Sequence, residues 1–242
     1  MNIGLALAAD LEKQCEVKRL YAFKYQKHGH NHMLPVLWER AHIVKTEAAV
    51  NAEMFRLRAF NDASLYPSDF NTAESCIYVV ICHLQRKVCF GPRGHIIMRP
   101  KGVGLGGALM TFLIQELKDR QLGTYTIERG ALWDGDATTE EDRVHRNAFY
   151  MGLGFDISDI DENTGLDVVG GQFTAANVNA LLVEPHRIAR LIKWRDFETD
   201  LWKAFNPPAP NSITESPLTS GLSNVLRRTA ARLLGIRPGH IE

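Results

Sequence analysis

The chain has 242 residues, of which 45% are hydrophobic and 23% are charged, a composition typical of a globular protein. Its 28 basic and 28 acidic residues cancel, so no overall electric field would recruit nucleic acid or an anionic membrane surface. The sequence contains no run of about 18 consecutive apolar residues, and we therefore expect no transmembrane helix.

The four cysteines (Cys15, Cys76, Cys82 and Cys89) form neither a CxxC pair nor a spacing typical of metal ligands. This pattern favours reduced thiols in a cytoplasmic protein. A Cys82–Cys89 disulfide across a hairpin is the alternative.

The first part of the chain predicts a strand and then a long helix. Residues 15–26 alternate in part between apolar and polar side chains, as a strand does. His28, His30 and His32 could ligate a metal, but no neighbouring cysteine or carboxylate completes a tetrahedral set, which favours a solvated loop. From residue 34 to about residue 60 apolar side chains recur with a period near 3.6, which predicts a helix. These side chains are Leu37, Trp38, Ala41, Val44, Ala48 and Phe55.

Short strands are predicted in the middle of the chain. Residues 76–83 are rich in β-branched and aromatic side chains, which is typical of a buried strand. A polar turn leads to the strand residues 88–90, and residues 91–94 interrupt that strand before it resumes at residues 95–98. We expect an antiparallel meander here.

A glycine-rich stretch, residues 99–107, lies between the end of this meander and an amphipathic segment. Apolar side chains at positions 109, 110, 113, 114 and 117 share one face of a helix predicted over residues 109–120. Gly102, Gly104, Gly106 and Gly107 let the backbone approach a ligand closely. Their N–H groups and the positive end of the helix dipole favour an anion, most naturally a phosphate.

Three other interpretations of the glycine-rich stretch fit the residues less well. No G-K-[ST] follows the glycines, which argues against a nucleoside-triphosphate P-loop. Gly102, Gly104 and Gly107 match the letters of a dinucleotide fingerprint, but that motif belongs to a βαβ unit and not to a meander. If the turn bound no ligand, each glycine in the first helical turn would still lower helix stability by about 1 kcal/mol relative to alanine.

The segment after the predicted helix contains a strand and an acidic stretch. Gly123 is expected to end the helix, and residues 124–129 predict a strand parallel to the one before the glycines. Residues 132–143 then form either an acidic rim for a cationic substrate or, as we favour, a solvated loop and the acidic first turn of a helix. The acidic residues are Asp134, Asp136, Glu140, Glu141 and Asp142.

The C-terminal part is expected to leave the main domain. We predict a strand at residues 178–183 and a helix from residue 186 to about residue 205. The main domain then spans residues 1–205, a Pro/Ser-rich linker spans residues 206–221, and a basic amphipathic helix lies within residues 222–242. This helix is expected to dock on the main domain or to join a dimer, with contact to another partner or to RNA as the alternative.

A second motif, Phe149-Tyr150-x-x-x-Gly154-Phe155, lies further along the chain. Together with the glycine-rich stretch it resembles the GNAT superfamily of N-acetyltransferases, which has a [Q/R]-x-x-G-x-[G/A] loop followed by F-Y-x-x-x-G-F. Residues 101–106 occupy the loop pattern, with Lys101 where the family has Gln or Arg, and Arg99 offers a second register. The resemblance covers about residues 76–158.

The resemblance implies an α/β fold in which a mixed central sheet of about seven strands is splayed between two parallel strands and flanked by helices. It implies acetyl-CoA, or a related acyl-CoA, as the donor, with the pantetheine arm in the gap and no metal. In the family the first helices shape the acceptor pocket, which would place that pocket at residues 34–60. The candidate cofactor-binding residues are Met98, Arg99, Lys101, Gly102, Val103, Gly104, Leu105, Gly106, Gly107 and Asn147.

The transfer of an acyl group to an amine needs a base, an oxyanion donor and an acid for the leaving thiolate. The resemblance assigns the acid role to Tyr150, and the alternative is a packed aromatic residue. Glu128 is the first candidate for the base, and the alternative is a surface carboxylate paired with Arg129. His95 is the second candidate for the base, because its unperturbed pKa lies near 6.5, and the alternative is a structural strand histidine.

The sequence therefore suggests an N-acetyltransferase that acts by direct attack of a primary amine in a ternary complex. The acceptor is expected to be a small molecule or a protein, with a homodimer through the C-terminal helix and without a membrane or nucleic-acid partner. Two alternatives are a non-catalytic CoA-binding regulatory protein and a toxin-type acetyltransferase that acts on aminoacyl-tRNA.

Overall fold

The computed structural model describes residues 3–45, 50–59, 75–91, 98–132, 135, 137–158, 160 and 165–196. Within these ranges the helices are α1 (Ile3–Lys13), α2 (Leu105–Asp119), α3 (Glu140–Met151) and the short α4 (Pro185–Ile188). The strands are β1 (Glu16–Lys27), β2 (His30–Lys45), β3 (Val50–Ala59), β4 (Cys76–Cys82), β5 (Lys87–Gly91), β6 (Thr126–Ile127), β7 (Gly130–Leu132), β8 (Asp156–Ile157), β9 (Gly171–Thr174) and β10 (Leu191–Lys193).

The described strands form two sheets. The larger sheet has seven strands in the order β10-β1-β2-β3-β4-β5-β6, and the smaller sheet has three in the order β7-β9-β8. Neighbouring strands are antiparallel except for β5 and β6, which are parallel. The predicted α/β class, with a mixed seven-stranded sheet flanked by helices, is therefore confirmed.

The first two strands form a long hairpin that was only partly predicted. β1 confirms the strand expected at residues 15–26. The turn is made by His28 and Gly29, both with positive φ (52° and 77°), as the shortest hairpin turns require. His30 and His32 already belong to β2, so the loop predicted for the three histidines is limited to the turn itself.

The helix predicted over residues 34–60 is wrong, because β2 and β3 occupy most of this segment and pair with each other from Val36↔Ala59 to Lys45↔Val50. Both faces of the sheet are covered here. Val36, Leu37 and Trp38 are consecutive and all buried, so the alternation that marks a strand with one exposed face is lost. The apolar residues of this segment match a helical period only by coincidence.

Helices cover the two faces of the larger sheet. On the α2 face, Leu109 and Leu113 of α2 belong to the same buried apolar cluster as Phe55 and Val79 of the sheet. On the α1 face, Ala8 and Leu11 of α1 belong to a second cluster with sheet residues such as Met54 and Val80. The α1 helix was not predicted from the sequence.

The helix predicted at residues 109–120 is confirmed as α2, but its end is not made by Gly123. Gln121 takes the left-handed conformation (φ 61°), and the N–H of Leu122 donates to the carbonyl of Leu117 at 3.1 Å, as in a C-terminal cap. A glutamine thus occupies the position where glycine is most common.

The parallel pair of strands separates soon after it forms. β6 pairs with β5 only at Lys87↔Thr126 and Val88↔Ile127, and one further bond joins the Glu128 N–H to the Val88 carbonyl at 2.8 Å. The chain then moves to β7, which pairs with β9 in the smaller sheet. β5 itself stays paired with β4 as far as Gly91. The parallel strand predicted at residues 124–129 is confirmed, although it is shorter.

Two predictions near the C-terminal end of the described chain are wrong. The strand expected at residues 178–183 is a 3₁₀ turn at Val178–Ala180, because the Asn177 side chain caps the Ala180 N–H at 3.1 Å. The helix expected from residue 186 to about residue 205 is interrupted after α4 by β10, which pairs with β1; residues 194–196 are helical again, and residues 197–205 lie outside the described residues. Residues 197–242, with the predicted linker and basic helix, and residues 95–97 of the predicted strand lie outside the described residues.

All four cysteines are free thiols, so the alternative of a Cys82–Cys89 disulfide is excluded in this structure. In the part of the chain that the structure describes, no helix has the length and apolar character needed to cross a membrane.

Candidate functional site

A cavity of about 270 Å³ lies at the N-terminus of α2 and joins the two sequence motifs. One side of it is the glycine-rich stretch and the other is the face of α3 that carries the Phe-Tyr pair. The lining residues are Met98, Pro100, Gly102, Gly104, Leu105, Gly106, Gly107, Arg146, Phe149 and Tyr150. Residues about 45 positions apart in the sequence therefore form one site.

The glycines shape the backbone at this helix N-terminus. Gly102 and Gly104 have φ values of 75° and 76°, which side chains of L-residues rarely tolerate. Gly104 is the N-cap of α2 and provides no capping side chain. The first intrahelical bond runs from the Ala108 N–H to the Gly104 carbonyl at 3.1 Å, so the N–H groups of residues 105–107 have no acceptor within the helix. Such groups, at the positive end of the dipole, suit an anion.

Two arginines that the sequence analysis missed lie against this loop. Arg190 donates from Nη2 to the Val103 carbonyl at 2.6 Å. A Cβ added to Gly107 would lie 2.6 Å from Nη1 of Arg187, which shows how closely that guanidinium approaches the first turn of α2. Burial lowers the pKa of Arg190, because it penalises the charged form. The sequence predicts only a plain helix for this segment, and no motif in it points to a site.

Tyr150 has a fixed position in the wall of the cavity. Its ring stacks on Phe173 with 4.3 Å between centroids and meets Phe149 and Phe155 edge-on at 5.1 and 5.8 Å. The residue is 7% exposed. The predicted acid and the packed aromatic are therefore both compatible with the geometry, because one end of the side chain is packed and the residue borders the cavity.

Arg146 and Asn147 connect α3 to the segment before β9. Asn147 is fully buried and donates from Nδ2 to the carbonyl oxygens of Leu166 (2.7 Å) and Val168 (3.1 Å). Its Oδ1 accepts a bond from Nε of Arg146 at 3.0 Å. Asn147 is not among the lining residues. Its side chain holds α3 against the segment before β9, whereas Arg146 borders the cavity directly.

Glu128 lies where β5 and β6 separate, but on the opposite face of the sheet from Tyr150. The Cys89 thiol on β5 donates to Oε2 of Glu128 at 2.7 Å. Cys89 belongs to the cluster under α1, whereas Tyr150 belongs to the cluster around α2. Burial, with a smaller contribution from the Glu128 carboxylate, also raises the pKa of the nearby Cys82 thiol. Glu128 does not line the cavity.

The remaining predicted site residues have varied positions. Arg99 is tied to Ser75, whose hydroxyl accepts from its N–H at 3.0 Å and donates to its carbonyl at 3.2 Å. Val103 is buried in the core, and Lys101 is exposed. His95 lies outside the described residues.

The metal and acidic-rim interpretations gain no support. Among the described residues, no group of three or more His, Cys, Asp or Glu side chains could hold a metal ion. In the acidic stretch, Thr139 caps α3 by accepting the Asp142 N–H at 3.1 Å, and residues 140–142 form the acidic first turn. The interpretation as the start of a helix is confirmed for these residues, while Asp134 and Asp136 lie outside the described ones.

Comparison of the chain with protein-family models, with curated proteins and with solved structures finds no match.

Proposed function

We propose that the chain is an acyl-CoA-dependent N-acyltransferase with a GNAT-type fold. One observation carries the proposal. The glycine-rich stretch and Tyr150, the two parts of the resemblance, line one cavity of about 270 Å³. The order of a strand, the glycine loop, a helix and then a strand parallel to the first gives further support.

The diphosphate of the cofactor would bind to the N–H groups at residues 102–107. The dipole of α2 favours negative charge there, and Arg190 adds a positive charge beside the loop, while the guanidinium of Arg187, also beside the loop, is ion-paired with Glu184. The pantetheine arm would then follow β5 into the gap beyond Val88. Among the described strands, β5 is paired only with β4 in that part, so its other edge has backbone groups available to an amide-rich ligand.

The reaction needs a neutral amine, because an ammonium group has no lone pair for attack. Glu128, directly or through water, accepts the proton of the amine. The nitrogen then bonds to the thioester carbon, the carbon–sulfur bond breaks, and the CoA thiolate takes the proton of the Tyr150 hydroxyl. Solvent exchange returns Glu128 and Tyr150 to their starting states. Glu128 lies where β5 and β6 separate and Tyr150 borders the first cavity, so the thioester would have to lie within reach of both.

The chain departs from the family where β2 and β3 replace the predicted helix. The family's first helices shape the acceptor pocket, so this chain would have to build that pocket differently. Glu128 lies on the α1 face, which favours an acceptor that enters from the side of α1. The acceptor class stays a primary amine, on a small molecule or a protein.

The test is turnover of the full chain with acetyl-CoA and a panel of amines, read by mass spectrometry. The panel contains peptide N-termini, polyamines, aminoglycosides and aminoacyl-tRNA. We expect an acetylated product with release of one CoA for each product formed. Binding of acetyl-CoA without any product across the panel would support the non-catalytic alternative, and a product formed only from aminoacyl-tRNA would support the toxin-type alternative. An absence of binding would contradict the proposal.

A further inference from the structure

A second cavity, of about 860 Å³, lies between the end of the β1–β2 hairpin and Arg190, and we name it the hairpin pocket. Its side chains combine aromatic rings (Tyr25 and His32), cations (Lys24 and Arg190) and amides (Gln26 and Asn31). Of its lining residues, only Arg190 has a role assigned above. Its volume lies within the range of sites that bind drug-sized ligands.

The pocket contains a platform of parallel rings. Tyr25 and His32 are cross-strand partners, and their rings stack with 5.1 Å between centroids and 17° between planes. Phe23 continues the stack beneath Tyr25 at 5.9 Å, and the Arg190 guanidinium lies 4.5 Å from the Phe23 centroid. Phe23 is buried, Tyr25 is half-buried and His32 is exposed, so the outer face of His32 is the surface on which a nucleobase would stack.

The charge of the pocket is positive. Two of the described lining residues, Lys24 and Arg190, are cationic, and none of them is acidic. The Gln26 amide donates to Oδ1 of Asn31 at 3.1 Å, which bridges the two strands at the pocket wall. Cations beside an aromatic platform match a ligand that carries both a phosphate and a planar base.

Arg190 connects the hairpin pocket to the first cavity. Its Nε donates to the Lys24 carbonyl at 3.1 Å, while its Nη2 donates to the Val103 carbonyl at 2.6 Å. A Cβ added to Gly104 would lie 2.7 Å from its Nη1. One guanidinium therefore touches both sites, and a single extended ligand could pass from one to the other beside it.

We infer that the hairpin pocket binds the adenosine 3′-phosphate end of the coenzyme A molecule whose diphosphate lies on the glycine loop. The adenine stacks on the Tyr25–His32 platform, and Lys24 and Arg190 hold the 3′-phosphate. This inference rests on the proposed function, because it needs the diphosphate at residues 102–107. It adds that this chain recognises the nucleotide through a hairpin made of its first two strands.

The test compares CoA with dephospho-CoA, which lacks only the 3′-phosphate, by calorimetry on the full chain. We expect the wild-type chain to bind CoA about tenfold more tightly, because a charged hydrogen bond to phosphate is lost in dephospho-CoA. Lys24→Gln should reduce this ratio to about two by weakening CoA alone. The control is Lys27→Gln, an exposed lysine of the same strand outside the pocket lining, and it should keep the ratio of the wild type.

A second variant tests the stacking platform. His32→Leu should weaken CoA and dephospho-CoA alike by about tenfold and leave 4′-phosphopantetheine binding unchanged, since that fragment has no base. Far-UV circular dichroism of each variant verifies that the hairpin is folded.

The outcomes separate the inference from the proposed function. Equal wild-type affinities for CoA and dephospho-CoA, or a ratio that Lys24→Gln leaves unchanged, would overturn the inference while the proposed function stands. If the wild-type chain binds neither molecule, the proposed function fails and the inference fails with it.

Discussion

The two faces of the larger sheet are stabilised in different ways. The α2 face is mainly a cluster of aliphatic and aromatic side chains, with Glu53 buried beside Arg40 and Arg120, and the candidate cavity opens at its end. The α1 face holds the buried Glu39–Arg56 pair, all four cysteines and Glu128 with its thiol partner. In the proposed function, the α2 face would hold the cofactor by backbone and packing, and the α1 face would fix the frame and present the carboxylate of Glu128.

The charges of the α1 face form one network. Glu39 on β2 is 2% exposed and accepts bonds from Nε of Arg56 and Nε of Arg58, both at 2.7 Å. Nη2 of Arg58 donates to its other oxygen. Glu39 and Arg56 are cross-strand partners, so the network joins β2 to β3. Such a buried network stabilises the protein only while every charge keeps its partners.

The largest effect is expected from breaking this network. Glu39→Gln removes the one carboxylate between two guanidinium groups and should lower the free energy of unfolding by about 3–5 kcal/mol, measured by urea denaturation. Glu16→Gln, which removes the partner of Lys18 in an exposed pair, should leave the midpoint unchanged. Equal midpoints for the two variants would contradict the view that charges hold the α1 face.

The next effect concerns chemistry at the gap between the faces. Tyr150→Phe and Glu128→Gln should each lower kcat by about a hundredfold with little change in the KM for acetyl-CoA, because the acid and the base act on the transition state. Tyr125→Phe is the matched control. It loses the bond between Tyr125 and His83, away from the lining of the cavity, and should keep full activity. A drop in kcat for all three variants would point to a structural cause.

The thiols of the α1 face should be unreactive, and Cys15 gives the sharpest case because it is half-buried. Burial raises its pKa from 9.0 to about 11. At pH 8 its thiolate fraction, and so its alkylation by iodoacetamide, should be about a hundredfold lower than in the urea-unfolded chain. The unfolded thiol loses its proton first as the pH rises, so stability from Cys15 should fall between pH 9 and 11. Equal alkylation rates, measured by mass spectrometry, would refute the burial of this thiol.

A smaller effect is expected on the side of the cavity. Gly104→Ala places a side chain at φ 76° and a Cβ 2.7 Å from Arg190, so the loop and the arginine must both shift. Acetyl-CoA affinity should fall about tenfold in calorimetry, as one set of loop hydrogen bonds is weakened. The control is Gly165→Ala, which also places a side chain at positive φ (52°) but has open space around it. Its affinity for acetyl-CoA should match that of the wild type.

The same comparison explains what could be predicted from the sequence. α2, β4 and β5 are dense apolar segments between polar turns, so their type and place follow from local pattern. The glycine stretch and the Phe-Tyr motif indicated a shared site, and the structure places most of their residues around one cavity. A local pattern was sufficient to predict elements whose type follows from their own residues.

The wrong or missed predictions concern residues whose structural partners are distant in the sequence. β2 and β3 are buried on both faces, one side by charges such as Glu39, and so show no alternation. β10 is a strand because it pairs with β1, and no local feature of residues 191–193 shows that partner. Arg187 and Arg190 reach the glycine loop from the far end of the described chain, so only the fold could identify them.

Hydrogen–deuterium exchange of the full chain with and without acetyl-CoA tests the central claim most directly, because it reports both binding and its place. The account predicts slower amide exchange in peptides that cover residues 102–107 and in those that contain Tyr150, with little change over the Glu39–Arg56 network of the α1 face. Unchanged exchange at residues 102–107 under saturating acetyl-CoA would contradict the account.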